Sequence, residues 1–303
     1  NQMKQPQKDD YPNTPFPALF DDPAYAVDRD KLWALLTDPP KGWMNDAYLT
    51  TSNGHRIRHG FAPHQTSEKR GTIVLTQGYG ENIDLYYETI KYYQAMGYDI
   101  HAMDWYGQGL SDRQTPLKHS APATHSFEKH SEDLHDFIQT VFKTKQYDAC
   151  LPLILSTNSM GGHIGMLYLQ KHPDTFDGAI MSSPMLRNRF LGLPKWTWPA
   201  IKLGFNIASR AGLRNMHLTT DWQNILRFAR RSDESKALEN NIRTMILGTA
   251  AFNAPKAMVG TPTIGWLSST FNTAAKITQP DFLRSVKTPV LIGAAGLDPF
   301  IDT

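Results

Sequence analysis

The chain has 303 residues, 40% hydrophobic and 20% charged, a globular composition and not a disordered one. Lysine and arginine number 31 against 29 acidic residues, so the net charge of +2 offers no electrostatic case for nucleic acid as a partner. A single cysteine, Cys150, excludes an internal disulfide framework and a cysteine-rich zinc site, and no apolar run approaches the ~18 residues of a membrane span.

Prolines recur from Pro6 to Pro40, so residues 1–45 are expected to form an irregular arm with one short helix near Arg29 to Leu36. The first residue is not Met and no signal-peptide-like apolar core follows, so the chain is expected to begin after a segment that precedes it. Asn53-Gly54 between Ala47–Thr50 and Ile57–Ala62 predicts a hairpin. Five short apolar runs follow, at Thr72–Thr76, Ile100–Met103, Leu151–Leu155, Ala179–Met181 and Val290–Ile292. Helical spacing lies between them, at Leu85–Met96 and at Phe127, Leu134, Ile138, Val141 and Phe142. Buried strands alternating with helices predict an α/β fold, a mostly parallel sheet covered on both faces. Residues 187–275 interrupt the alternation and read as an inserted helical cap. The core therefore divides into 46–186 and 276–303.

The most informative segment is Leu151-Pro-Leu-Ile-Leu-Ser-Thr-Asn-Ser159-Met160-Gly161-Gly162-His163. A strand enters a small-residue turn with serine at its apex, and a helix follows to about Gln170. This is the pattern of a nucleophile elbow, with Thr157 where the first glycine of Gly-x-Ser-x-Gly usually stands. That β-branched residue must clear the helix behind it. In such a fold the loop after the first buried strand, here Gln77-Gly78-Tyr79-Gly80-Glu81, supplies one oxyanion-binding N–H, from Tyr79; the residue after the nucleophile, Met160, supplies the other. Asp104-Trp-Tyr-Gly-Gln-Gly-Leu-Ser111 reads as structural support beside the same edge. Asp298 follows the strand Val290–Ile292 and occupies the orienting acid's place in the order serine, acid, histidine; Asp302 is the local competitor.

Together these segments resemble the α/β-hydrolase superfamily, and within it the monoacylglycerol lipase and lysophospholipase group. The pieces that carry the resemblance are QGYGE, DWYGQGLSD, FEKHSEDLHDF, NSMGGH, SSPML, GTPTIGW and LIGAAGLD, spread from about Ala47 to Thr303. The resemblance implies Ser159 as nucleophile, Asp298 as acid, and Tyr79 and Met160 as main-chain oxyanion donors. Gln77 departs from it, where many members have histidine. The group places its catalytic histidine beyond the acid, and none of the eleven histidines here follows Asp298. The chain is therefore expected to be a fragment, with the histidine loop, a last strand and a helix on a further segment. His163 is expected to point away from the site, and His217 is the weak candidate for a base within the chain.

The expected function is serine-dependent hydrolysis of a carboxylic ester of a lipid, a lysophospholipid or monoacylglycerol, through an acyl-enzyme. The apolar cap stretch Leu186–Ala208 suits an acyl chain and a transient membrane-surface contact, with Trp196, Trp198 and Trp266 as candidate substrate-binding residues. A carboxylesterase of small esters and a catalytically incomplete hydrolase-fold binding protein are the alternatives. No metal cluster or dinucleotide-binding glycine pattern is present, so no cofactor is expected. The composition suits a soluble protein, cytoplasmic or peripheral to a membrane, with the compartment itself left open. Cys150, just before the elbow strand, is expected to be a buried, inert thiol.

Overall fold

The alternation of apolar runs and helical stretches folds into one sheet with helices on both faces. The structure is a computed structural model and describes residues 29–113, 126–187, 195–217, 254, 256–257 and 259–295. Most of the N-terminal arm, the candidate acid Asp298, its neighbour Asp302, and the cap residues Leu191, Leu193 and 218–253 lie outside the described residues.

The elements in chain order are α1 (Arg29–Thr37), β1 (Met44–Thr50), β2 (Arg56–Ala62), β3 (Gly71–Thr76), α2 (Tyr87–Ala95), β4 (Tyr98–Met103) and α3 (Phe127–Phe142). There follow β5 (Leu153–Asn158), α4 (Met160–Lys171), β6 (Gly178–Ser182), α5 (Trp198–Ala208), α6 (Ile264–Ile277), α7 (Pro280–Ser285) and β7 (Val290–Gly293). Among the described residues the sheet has seven strands in the order β1-β2-β4-β3-β5-β6-β7. The predicted hairpin joins β1 and β2, which are antiparallel to each other, and β2 is antiparallel to β4; the pairs from β4 across to β7 are parallel. Gly54 takes φ +74° at the hairpin turn, as Asn-Gly predicts.

Alternate residues of the central strands feed two cores. Val74, Leu155 and Met181 join Phe137, Ile164 and Leu167 of α3 and α4 on one face, while Leu75 and Ile100 join Tyr87 and Ile90 of α2 on the other. Every residue of β3 is buried, as a strand covered on both faces requires. Among the described residues β7 ends the order at the other side, with Leu291 67% and Ile292 46% exposed.

Two expectations about local structure change. The elbow strand begins two residues later than predicted and runs on to Asn158, because its ladder with β6 continues to Asn158↔Ser182. Cys150 is exposed, not buried: it sits in the turn before β5, where its N–H bonds the Asp148 carboxylate at 2.9 Å. In the predicted cap, α5 buries none of its own side chains; it rests on α6 through Phe205 stacked on Phe271 and through the Asn206–Ser268 hydrogen bond of 2.6 Å. α6 itself contributes Trp266, Leu267 and Ile277 to the main core.

Candidate active site

Ser159 sits between β5 and α4 with φ +48° and ψ −109°, a conformation that side chains rarely adopt. The surroundings over-determine it. Its N–H donates to the Ser182 carbonyl at 2.9 Å, and its own carbonyl accepts from Met185 at 2.9 Å and Gly162 at 3.0 Å. The SSPML segment thus holds the serine from β6.

Close packing explains the small residues that follow. A Cβ at Gly161 would stand 2.7 Å from Thr76 Oγ1 and 2.9 Å from the Gln77 carbonyl, so α4 starts in direct contact with the end of β3. The same helix accommodates Thr157. A Cβ at Gly165 would lie 3.3 Å from Thr157 Cγ2, and one at Gly162 would lie 3.2 Å from its Oγ1. The β-branched residue at the elbow is admitted because the helix opposite it carries no side chain at two positions.

The Gln77–Gly80 turn is held from several sides. Trp105 Nε1 donates to the Gln77 carbonyl at 2.9 Å, and Gly80 N–H donates to Gln108 Oε1 at 2.5 Å. The Gln108 amide also reaches Met160 Sδ at 3.8 Å, so one side chain touches both the turn and the start of α4. Gly78 N–H donates to Glu81 Oε2 at 2.6 Å. By contrast, the N–H groups of Tyr79 and Met160 have no acceptor among the described residues. One of these main-chain donors lies in the turn after β3 and the other at the start of α4, directly after the serine.

Asp104 has a supporting place. Its buried carboxylate accepts from Arg58 Nε at 2.7 Å, from the N–H groups of Ile83 and Leu110 at 2.8 Å, and from Gln77 Nε2 at 3.1 Å. Burial opposes the Arg58 charge, but Asp104 and Asp84 together hold its pKa above the ordinary value. This ion pair ties β2, β4 and the Gln77–Gly80 turn into one unit.

Widely separated motifs meet above the turn. Tyr79 donates its hydroxyl to the Gly260 carbonyl at 2.8 Å, and its ring meets Trp266 edge-on at 4.8 Å. Burial pushes the Tyr79 phenol well above its usual pKa, so it remains a donor. Trp266 is 4% exposed, packs against Phe127, and has a buried indole N–H with no acceptor among the described residues. The other candidate substrate-binding residues stand apart. Trp196 is 81% exposed and Trp198 half-buried, and neither makes a ring contact or hydrogen bond with Ser159, Tyr79 or Met160 among the described residues.

The histidines near the site have other partners. His163 is buried under α4, with Nδ1 donating 2.6 Å to the Met185 carbonyl and Nε2 2.6 Å from Thr273 Oγ1; burial pushes its pKa down to about 4. His217 Nδ1 donates 2.8 Å to the Thr261 carbonyl. No described histidine bonds Ser159. Sequence reasoning assigned no part to Glu81 or Gln108. The only signal for them is their place inside QGYGE and DWYGQGLSD, where a tight turn alone needs neither a carboxylate nor an amide.

A mostly parallel sheet, helices on both faces and a strained serine on a strand-to-helix turn define an α/β hydrolase. The sequence matches the family model described as serine aminopeptidase, S33, over residues 67–303, and the chain belongs to that family. It is similar to the caffeoylshikimate esterase of Arabidopsis thaliana, 28% identical over 148 residues that cover 46% of this chain and 40% of that protein. A monoacylglycerol lipase of Mycolicibacterium smegmatis is 28% identical over 123 residues, 39% of each. The chain thus spans about two fifths of the length of these two relatives. The probable lysophospholipase L2 of Haemophilus influenzae is 23% identical over 84% of this chain and 76% of its own length. Among solved structures, a carboxyl esterase from Bacillus coagulans aligns with a TM-score of 0.58 at 17% identity, covering 82% of this chain and 78% of that one. A monoglyceride lipase of Saccharomyces cerevisiae aligns with a TM-score of 0.57 at 16% identity, covering 84% and 78%. These two likenesses support the fold.

Proposed function

We propose that the protein hydrolyses a carboxylic ester of a lipid, a lysophospholipid or a monoacylglycerol, through an acyl-enzyme on Ser159. The observation that carries the reading is the strained Ser159 turn, with the N–H groups of Met160 beside it and of Tyr79 in the turn after β3 both without an acceptor among the described residues. Ser159 Oγ attacks the ester carbonyl, the two N–H groups receive the developing oxyanion, the alcohol leaves, and water releases the acid. Asp298 orients the base. The proton from Ser159 passes to a histidine, and none of the described histidines bonds Ser159. The relatives' names, a monoacylglycerol lipase and a probable lysophospholipase, support the lipid ester.

The stretch from Lys195 to His217 supports contact with a lipid surface. It contains Lys195, Lys202, Arg210 and Arg214 and no acidic residue, and it exposes Trp196, Leu203 and Ile207. Among the described residues no helix is long and apolar enough to cross a membrane.

The test is Ser159→Ala in the full chain, assayed on monoacylglycerols and lysophospholipids of graded acyl length, short p-nitrophenyl esters and aminoacyl arylamides. The expected result is a loss of at least about 10⁴-fold in kcat/KM in the variant, and a wild-type preference for long acyl esters. Activity that survives Ser159→Ala overturns the serine assignment. Activity confined to short esters or arylamides overturns the lipid assignment.

A further inference from the structure

Glu81 stands in the Gly78–Glu81 turn without a part in the chemistry just proposed, yet three donors from three elements converge on it. Gly78 N–H of the oxyanion-side turn lies 2.6 Å from Oε2. The Tyr86 hydroxyl, at the start of α2, lies 2.5 Å from the same oxygen. The Asn158 side-chain amide lies 3.0 Å from Oε2 and 3.2 Å from Oε1. Gly78 immediately precedes Tyr79, and Asn158 immediately precedes Ser159. The carboxylate therefore joins the residue before one proposed oxyanion donor to the residue before the nucleophile.

We infer that Glu81 is a positioning residue, which fixes the Tyr79 N–H relative to Ser159 by holding Gly78 and Asn158 on one carboxylate. A carboxylate suits this task because it has no proton to offer and can accept several bonds at once, each charge-assisted and stronger than a neutral bond. The contact is also close-fitted. A Cβ on Gly78 would stand 2.7 Å from Glu81 Oε2 and 3.1 Å from Asn158 Nδ2, so only glycine lets the turn approach both groups. The Gly78 N–H is taken by Glu81 and the Gly80 N–H by Gln108, while the Tyr79 N–H between them has no acceptor among the described residues. The inference rests on the serine-hydrolase reading, and it adds to that reading a side chain that acts only through the main chain.

An oxyanion exists in the transition state and not in the bound ester, so a displaced donor lowers kcat and leaves KM nearly unchanged. A fold staple would act differently, through stability and through KM. Glu81 lines a cavity of about 590 Å³ that also touches Tyr93, Ser156 and Ile180. Water can enter where its side chain is truncated, so the alanine variant leaves no sealed void.

The experiment compares wild type, Glu81→Ala, Glu81→Gln and Ser159→Ala for kcat, KM, melting temperature and amide hydrogen exchange at Gly78. Glu81→Ala is expected to lose about 10- to 100-fold in kcat with KM within about 2-fold, and to exchange the Gly78 amide faster. Glu81→Gln keeps an oxygen for Gly78 and Tyr86 and is expected to recover most of the rate. An unchanged kcat in Glu81→Ala, a loss carried by KM, or an unchanged Gly78 exchange rate overturns the positioning role. Turnover surviving in Ser159→Ala overturns the serine reading instead, and Gly78 exchange then decides whether Glu81 holds the turn.

Discussion

At the scale of the residue, Asp104 is a charge taken out of water. It is fully buried, and it is bonded to an arginine that is itself only 2% exposed. A buried ion pair contributes little net stability over an apolar pair of the same shape, but removing one partner strands the other in low dielectric. Asp104→Ala is accordingly expected to lower unfolding stability by about 3–5 kcal/mol, read by urea denaturation. The double replacement of Arg58 and Asp104 by apolar residues should cost less than the single change. Asp104 also shows what a residue list conveys and what it does not. Its loop could be read from the sequence as support because two glycines and a serine make a tight turn after a strand. Its partners could not, since Arg58 lies 46 positions away and reaches it only through the pairing of β2 with β4.

At the scale of elements, β4 and α4 each bury a histidine. His101 on β4 and His163 on α4 both have pKa values pushed down to about 4 by burial. The folded state therefore holds them neutral, while the unfolded chain protonates them near 6.5. As pH falls from about 6.5 towards 4 the unfolded state binds more protons, so stability falls by about 1.4 kcal/mol per pH unit for each histidine. Below about 4 both states are protonated and the decline from these two groups stops. Denaturant melts between pH 7.5 and 4.5 should show this slope, and His101→Asn should remove about half of it. The elements themselves were largely legible. Continuous apolar runs marked the strands to within a few residues, and Asn-Gly marked the hairpin. Less legible were the details set by packing across elements. Nothing local to Cys150 says that the turn before β5 faces water, and nothing local to Thr157 says that the helix opposite leaves room for it. The clamps by Glu81 and Gln108 are likewise tertiary, because a side chain's main-chain partner leaves no periodicity in the sequence.

The net charge of the whole molecule is only +2, yet the α5 region concentrates basic residues beside exposed Trp196, Leu203 and Ile207. Burial of such side chains in a lipid interface is worth about 1.5–3 kcal/mol each when complete, and each nearby cation adds about 1 kcal/mol on an anionic surface. Sedimentation with phosphatidylserine-containing vesicles is therefore expected to fall at least about 10-fold in a Trp196→Ala/Leu203→Ala/Lys202→Ala variant. Hydrolysis of a dissolved short ester should stay unchanged in that variant. Equal vesicle binding by variant and wild type would remove α5 from the lipid contact.

The fit of Thr157 against Gly162 and Gly165 has a consequence for how this sequence can change over time. A Cβ at 165 would meet Thr157 Cγ2 and Leu155 Cδ2 alike at 3.3 Å, so a side chain gained by the helix asks both strand residues to give by a few tenths of an ångström. Glycine at 157 would relieve one of these two contacts for an alanine at 165, whereas threonine and alanine together keep both. A change at 165 is thereby coupled to the side chains at 155 and 157 together, and its effect depends on what both of them are.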